Sequence, residues 1–231
     1  MKKQEVQARI EDIGIIPAVR VSSKDDALFA ATTVNRAGIP IAEITVTVPD
    51  AIEVISELRR ATPEMIVGAG TVLDIETAQH ALDAGAQFLT STGLILEVVE
   101  FARKKEIVVF PGALTPTEII AAWKAGADLV KVFPCAQVGG DSYLRALKAP
   151  FPNVPLIASG GVNQQTAFNF IMAGAAALGI GGELIPRESV HLRQDDRICE
   201  LARRFIIDFC INNGIIGVQE GSAYAETKGK R

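Results

Sequence analysis

The sequence predicts a single (β/α)8 TIM barrel with an N-terminal capping helix, and three observations carry that prediction. Eight short runs of aliphatic and β-branched residues recur along the 231-residue chain, each followed by a longer amphipathic stretch, as right-handed parallel β/α units require. Several runs, Ile107-Val108-Val109-Phe110 among them, are apolar on both faces, as strands covered by helices must be. An Ala-Gly pair closes a helical stretch at Ala37-Gly38, Ala84-Gly85, Ala125-Gly126 and Ala173-Gly174. Spacings of roughly 40–50 residues fit every second unit of an eightfold ring, and glycine suits the left-handed residue that ends a helix. A doubly wound open sheet is the rival architecture. It normally places a glycine-rich turn after its first strand, where this chain has Arg20-Val21-Ser22-Ser23.

The expected strands are 15–21, 42–48, 65–71, 87–91, 107–110, 128–133, 154–159 and 175–180. Residues 1–12 read as a short helix under the barrel, and 195–212 as the last helix, with acidic, basic and apolar positions at helical period. One barrel domain over 1–212 is expected, followed by a small, polar and flexible tail over 213–231.

With 23 basic against 27 acidic residues, a net charge of −4 and no basic-aromatic stripe, the chain is not expected to bind nucleic acid. The start, Met1-Lys2-Lys3-Gln4-Glu5, has no apolar stretch behind it and no run is long enough to span a membrane, so a cytoplasmic protein is expected. Three cysteines (Cys135, Cys199, Cys210) and two histidines (His80, His191) lack metal-ligand spacing. Neither a metal, another cofactor nor a Ser-His or Cys-His device is expected. His80 reads as a surface residue and Trp123 as packing or interface.

In a β/α barrel the functional groups come from the C-terminal ends of the strands. Lys131 lies in Asp128-Leu129-Val130-Lys131-Val132-Phe133-Pro134, between two valines. Burial disfavours its charged form, and a neutral amine is a nucleophile toward a carbonyl; alternatively the amine snorkels to solvent from a strand edge. Period-two alternation puts Glu43, Thr45 and Thr47 on one face and Ile44 and Val46 on the other. The apolar pair suits the helix layer, so Glu43 points inward. The same parity groups Leu129, Lys131 and Phe133. An acid and an amine in one interior are the minimal kit for Schiff-base chemistry, although a buried ion pair without chemistry fits the same pattern. Ser159-Gly160-Gly161, with a helix start expected near Asn163, and Gly179-Ile180-Gly181-Gly182 form a second constellation. Their unhindered backbone N–H groups suit an anion at the place where barrels often bind phosphate.

Residues 39–47, Val67-Gly68-Ala69-Gly70-Thr71-Val72-Leu73, Ala84-Gly85-Ala86-Gln87-Phe88, Pro111-Gly112, Lys131-Val132-Phe133-Pro134 and Ser159-Gly160-Gly161-Val162 closely resemble the 2-keto-3-deoxy-6-phosphogluconate / 4-hydroxy-2-oxoglutarate aldolases. The match runs in order over residues 8–186. The resemblance implies a metal-free class I aldolase, a homotrimer, that cleaves a 2-keto-4-hydroxy acid to pyruvate and an aldehyde. It implies that Lys131 forms the Schiff base and Glu43 is the acid/base. Thr71 would lie beside the pyruvyl part and Phe133 would pack on it, while Ser159, Gly160 and Gly161 would hold the far end. Many members carry arginine where this chain has Thr47, which leaves Arg20 to meet the substrate carboxylate. Ser91-Thr92-Gly93 stands for the family's frequent Ser-Pro-Gly, and Glu183 follows the last glycine pair where many members have serine. Two other readings stay open at this stage. One is a sugar-phosphate epimerase or isomerase using the same pair as acid and base, the other a non-catalytic sugar-acid binding barrel.

Overall fold

The computed structural model describes residues 1–212; the tail expected over 213–231 lies outside the described residues. Helix α1 (Lys3–Ile13) precedes the alternation β1 (Ile15–Val19), α2 (Lys24–Arg36), β2 (Ile41–Thr45), α3 (Ala51–Ala61), β3 (Ile66–Gly70), α4 (Ile75–Asp83), β4 (Phe88–Thr90) and α5 (Leu96–Lys104). The second half runs β5 (Val108–Phe110), β6 (Gly112–Ala113), α6 (Pro116–Ala125), β7 (Val130–Val132), α7 (Gly140–Lys148), β8 (Leu156–Ser159), α8 (Ala167–Met172), β9 (Ala175–Ile180), α9 (Arg187–His191) and α10 (Asp195–Asn212). The four Ala-Gly pairs end α2, α4, α6 and α8 as expected, with each glycine at positive φ.

All strand pairs are parallel and run in the order β5-β4-β3-β2-β1-β9-β8-β7-β6. The two ends of that order are one strand. Pro111 has no N–H to give, so the fifth strand divides there: β5 pairs with β4, and β6 with β7. The carbonyls of Val109, Pro111 and Ala113 accept from Asp128, Lys131 and Phe133 at 2.9, 2.9 and 3.3 Å, closing an eight-stranded ring. The fifth strand expected at 107–110 thus continues to Ala113, because Pro111 interrupts one ladder without ending the strand. Most other strands are a residue or more shorter than expected, the sixth only Val130–Val132.

Helix α1 caps the N-terminal end of the ring. Val6 and Ile10 are buried, and Lys3 Nζ lies 2.9 Å from Asp128 Oδ1. The other oxygen of Asp128 accepts from Val109 N at 2.8 Å, so one carboxylate ties α1, β5 and the approach to β7 together. Inside, β3 contributes two glycines on one face. A Cβ on Gly68 would stand 2.4 Å from the Phe88 ring, which stacks on Phe110 at 5.1 Å between centroids. Small residues on one strand therefore make room for large ones on the next, at the close packing a core demands. Among the described residues no helix is long and apolar enough to cross a membrane.

Candidate active site

Lys131 sits in the middle of β7 and Glu43 in the middle of β2, with three of the eight strands between them either way around the ring. Their side chains meet across the interior: Nζ lies 3.2 Å from both Oε1 and Oε2. Lys131 is 5% exposed and Glu43 2%. The amine does not snorkel to solvent. Removing both charges from water costs several kcal/mol per ion, which mutual attraction repays only with good geometry. Here both contacts exceed the roughly 2.7–2.9 Å of tight charge-assisted bonds. The carboxylate straddles the nitrogen instead of gripping it through one oxygen, which leaves the amine free to exchange one partner for another.

The pair forms the floor of a cleft of about 380 Å³ at the C-terminal ends of the strands. Arg20, Glu43, Lys131, Phe133, Ser159, Gly160, Gly161, Gly181 and Gly182 all line it. The glycine loop after β8 is shaped by its neighbours. Gly160 and Gly161 have φ of 86° and 82°, the left-handed region that costs a side-chain-bearing residue. A Cβ on Gly161 would overlap Ala136 Cβ at 2.3 Å, and one on Gly160 would crowd the Phe133 ring at 3.2 Å. Ser159 is buried, its Oγ seated where a side chain on Gly179 would be, 2.8 Å from the would-be Cβ.

The helix start expected near Asn163 is displaced: α8 begins at Ala167. Asn163 Oδ1 accepts from Gln165 N and Thr166 N at 2.9 and 3.0 Å, a side-chain turn that competes with the first helical turn. At this loop the cleft meets glycine backbone in place of a helix end.

Thr47 and Thr71 are not among the residues lining the cleft. Thr47 lies beyond the end of β2, its hydroxyl 3.0 Å from that of Thr45. Thr71 follows β3 with φ of 61°, an outlier for a β-branched residue. Its hydroxyl is buried without a hydrogen-bond partner among the described residues. Gly179 and Glu183, read from the sequence at the last glycine pair, also line it, and residues that sequence reasoning did not place in the cleft are Ala18, Thr92, Val162, Ile185 and Arg187. Arg20, Glu183 and Arg187 are exposed and sit at its mouth. Cys135, two positions past Phe133, is buried, and desolvation with Asp141 nearby pushes its thiol up to about 11. It stays protonated at neutral pH and is no candidate nucleophile. Among the described residues no three or more His, Cys, Asp or Glu side chains gather as a metal site.

The model of the KDPG and KHG aldolase family matches residues 6–201. The 2-dehydro-3-deoxy-phosphogluconate aldolase of Treponema pallidum is 31% identical over 196 residues, 84% of this chain and 93% of that protein. The KHG/KDPG aldolase of Escherichia coli is 31% identical over 193 residues, 83% and 90% of the two chains. Among solved structures, the KDPG aldolase of Legionella pneumophila, with pyruvate captured as a covalent carbinolamine intermediate, superposes with a TM-score of 0.77. That structure is 29% identical and covers 85% of this chain, with 96% of its own length matched. A closed parallel barrel with a lysine and a glutamate facing each other in its interior, matched over most of its length by the family model, belongs to the KDPG and KHG aldolase family.

Proposed function

We propose that this chain is a class I aldolase in which Lys131 is the Schiff-base lysine and Glu43 the acid/base. The substrate is a 2-keto-3-deoxy sugar acid, with or without a 6-phosphate, or 4-hydroxy-2-oxoglutarate, and the products are pyruvate and an aldehyde. The observation that carries the reading is the Lys131 amine straddled by the Glu43 carboxylate on the floor of the cleft.

The chemistry follows from that pair. Glu43 takes a proton from the ammonium, and the neutral amine attacks the C2 carbonyl to give a carbinolamine. Glu43 returns a proton to the departing hydroxyl, water leaves, and the protonated imine forms. Directly or through a water, the carboxylate then removes the C4 hydroxyl proton. The C3–C4 bond breaks, its electrons flow into the imine, and the aldehyde departs. Protonation of the enamine at C3 and hydrolysis release pyruvate and restore Lys131. Burial serves this sequence by keeping bulk water from competing for the protons.

The remaining roles complete the reading. Arg20 takes the C1 carboxylate, because Thr47 brings no charge where many family members have arginine. The unpartnered hydroxyl of Thr71 hydrogen-bonds the pyruvyl part, Phe133 packs on it, and the backbone of Ser159, Gly160, Gly161, Gly181 and Gly182 holds the distal group. The enzyme is read as a cytoplasmic homotrimer; the exposed Leu73, Ile75, Leu96, Ile120 and Trp123 on α4, α5 and α6 and just ahead of α4 support assembly.

Incubation with pyruvate and borohydride is expected to fix a reduced pyruvyl adduct on Lys131, read by peptide mass, and Lys131→Met is expected to abolish both adduct and cleavage. Folded protein that acquires no adduct sinks the mechanism. An epimerase or isomerase working by acid and base alone turns over without one, and a binding barrel releases no pyruvate.

A further inference from the structure

Beside the pair, β3 does something the reaction has not yet called on. Gly70 is hydrogen-bonded in register with Thr45 on β2, two positions past Glu43. A Cβ built on Gly70 would stand 2.2 Å from Glu43 Oε1, 2.6 Å from its Cγ and 2.7 Å from its Cδ. Real Cβ atoms do not approach other heavy atoms so closely, so the Glu43 carboxylate occupies the space that any side chain at 70 would fill. Nor can Glu43 swing aside at no cost: it is 2% exposed, and Lys131 stands opposite at 3.2 Å.

We infer that Gly70 is a positioning residue for the reaction, its missing side chain forming the seat that holds the Glu43 carboxylate astride Lys131. The inference rests on the reading of Glu43 as acid/base. Gly70 needs no unusual backbone conformation, since it ends a regular strand and its φ is not positive. The demand at 70 is for space, and the space is taken by one side chain. The smallest intrusion, a methyl group, therefore displaces the carboxylate by the distance that separates useful from useless proton transfer.

The test is a cycle of Gly70→Ala, Glu43→Ala and the double variant. Gly70→Ala is expected to lower kcat by about 10²-fold, within the range general acid–base groups supply, while borohydride with pyruvate still labels Lys131. Its kcat–pH profile is expected to lose definition on the limb governed by the carboxylate, which a merely loosened barrel would not alter. In the Glu43→Ala background, where the colliding atoms are gone, adding Gly70→Ala is expected to change the residual rate by less than twofold. Full activity in folded Gly70→Ala overturns the inference, as does the same loss in both backgrounds. If Gly70→Ala fails to fold, the double variant decides: recovery of the fold supports the seat, and continued failure overturns it. Absence of the wild-type adduct refutes the aldolase reading instead, so the two failures are distinguishable.

Discussion

Glu183 sets a carboxylate at the mouth of a cleft whose floor is already electrically balanced. Lys131 and Glu43 offset each other, and Arg20 and Arg187 exceed Glu183 by one positive charge. That balance suits one carboxylate. A phosphate dianion at the distal end meets Glu183 as a like charge, and like charges placed together discriminate between ligands by repulsion. Glu183→Gln is therefore expected to raise kcat/KM for a 6-phosphorylated 2-keto-3-deoxy acid over its unphosphorylated counterpart by about tenfold, worth roughly 1.4 kcal/mol. Steady-state kinetics on both substrates checks it; an unchanged ratio removes Glu183 from substrate selection. At this scale the sequence was legible where a local rule applied. Period-two parity alone turned Glu43 and Lys131 inward, and the structure has them in contact. Parity names a face but not the neighbour across the sheet, so the space that Gly70 leaves for Glu43 lay beyond it, as did the place of Arg187 at the mouth.

Elements here start and stop through side chains that compete for backbone donors. At the start of α6, Glu118 Oε2 accepts from Leu114 N and Thr115 N, both at 2.8 Å, and Thr115 Oγ1 accepts from Glu118 N at 3.4 Å. These backbone bonds hold the Glu118 carboxyl below the usual carboxylate range. A depressed carboxyl stabilises the fold above its unfolded-state pKa, and that contribution is lost as pH falls through the folded value. Glu118 is exposed, so solvent screening discounts the cap, and Glu118→Ala is expected to cost about 0.5 kcal/mol at pH 7. The gap to wild type should narrow once pH drops below about 4, near the ordinary value for glutamate. Urea titrations at the two pH values measure both; equal stability at pH 7 contradicts the cap. The same competition explains a boundary that was misread. Asn163 looks like a helix start, yet its side chain satisfies two amides in a turn of its own and defers α8 to Ala167. Pro111 misleads likewise, reading as the end of a strand that in fact continues on its other edge.

For the molecule as a whole, the order of β/α units was legible because parallel strands buried on both faces and helices closed by Ala-Gly repeat at a near-constant interval. Assembly was not, because periodicity separates core from surface and cannot say what a surface meets. Ile120 and Trp123, three residues apart on α6, are 41% and 42% exposed, and Leu96 on α5 is 50% exposed; α5 packs between α4 and α6. Such grouped apolar exposure suits burial against another subunit. Trp123→Glu is expected to convert the proposed trimer to monomers by sedimentation equilibrium; a variant of unchanged mass places the interface elsewhere. One consequence of the divided fifth strand reaches further. Glu43 and Lys131 are 88 positions apart, the acid in the half of the ring before Pro111 and the amine in the half after it. Either half alone carries one member of that pair and lacks the other. On the proposed mechanism a nascent chain is therefore inert until its sixth strand has docked in the ring and brought the amine to the acid. On that mechanism imine formation begins only when the two halves meet, so turnover itself reports that the ring has closed.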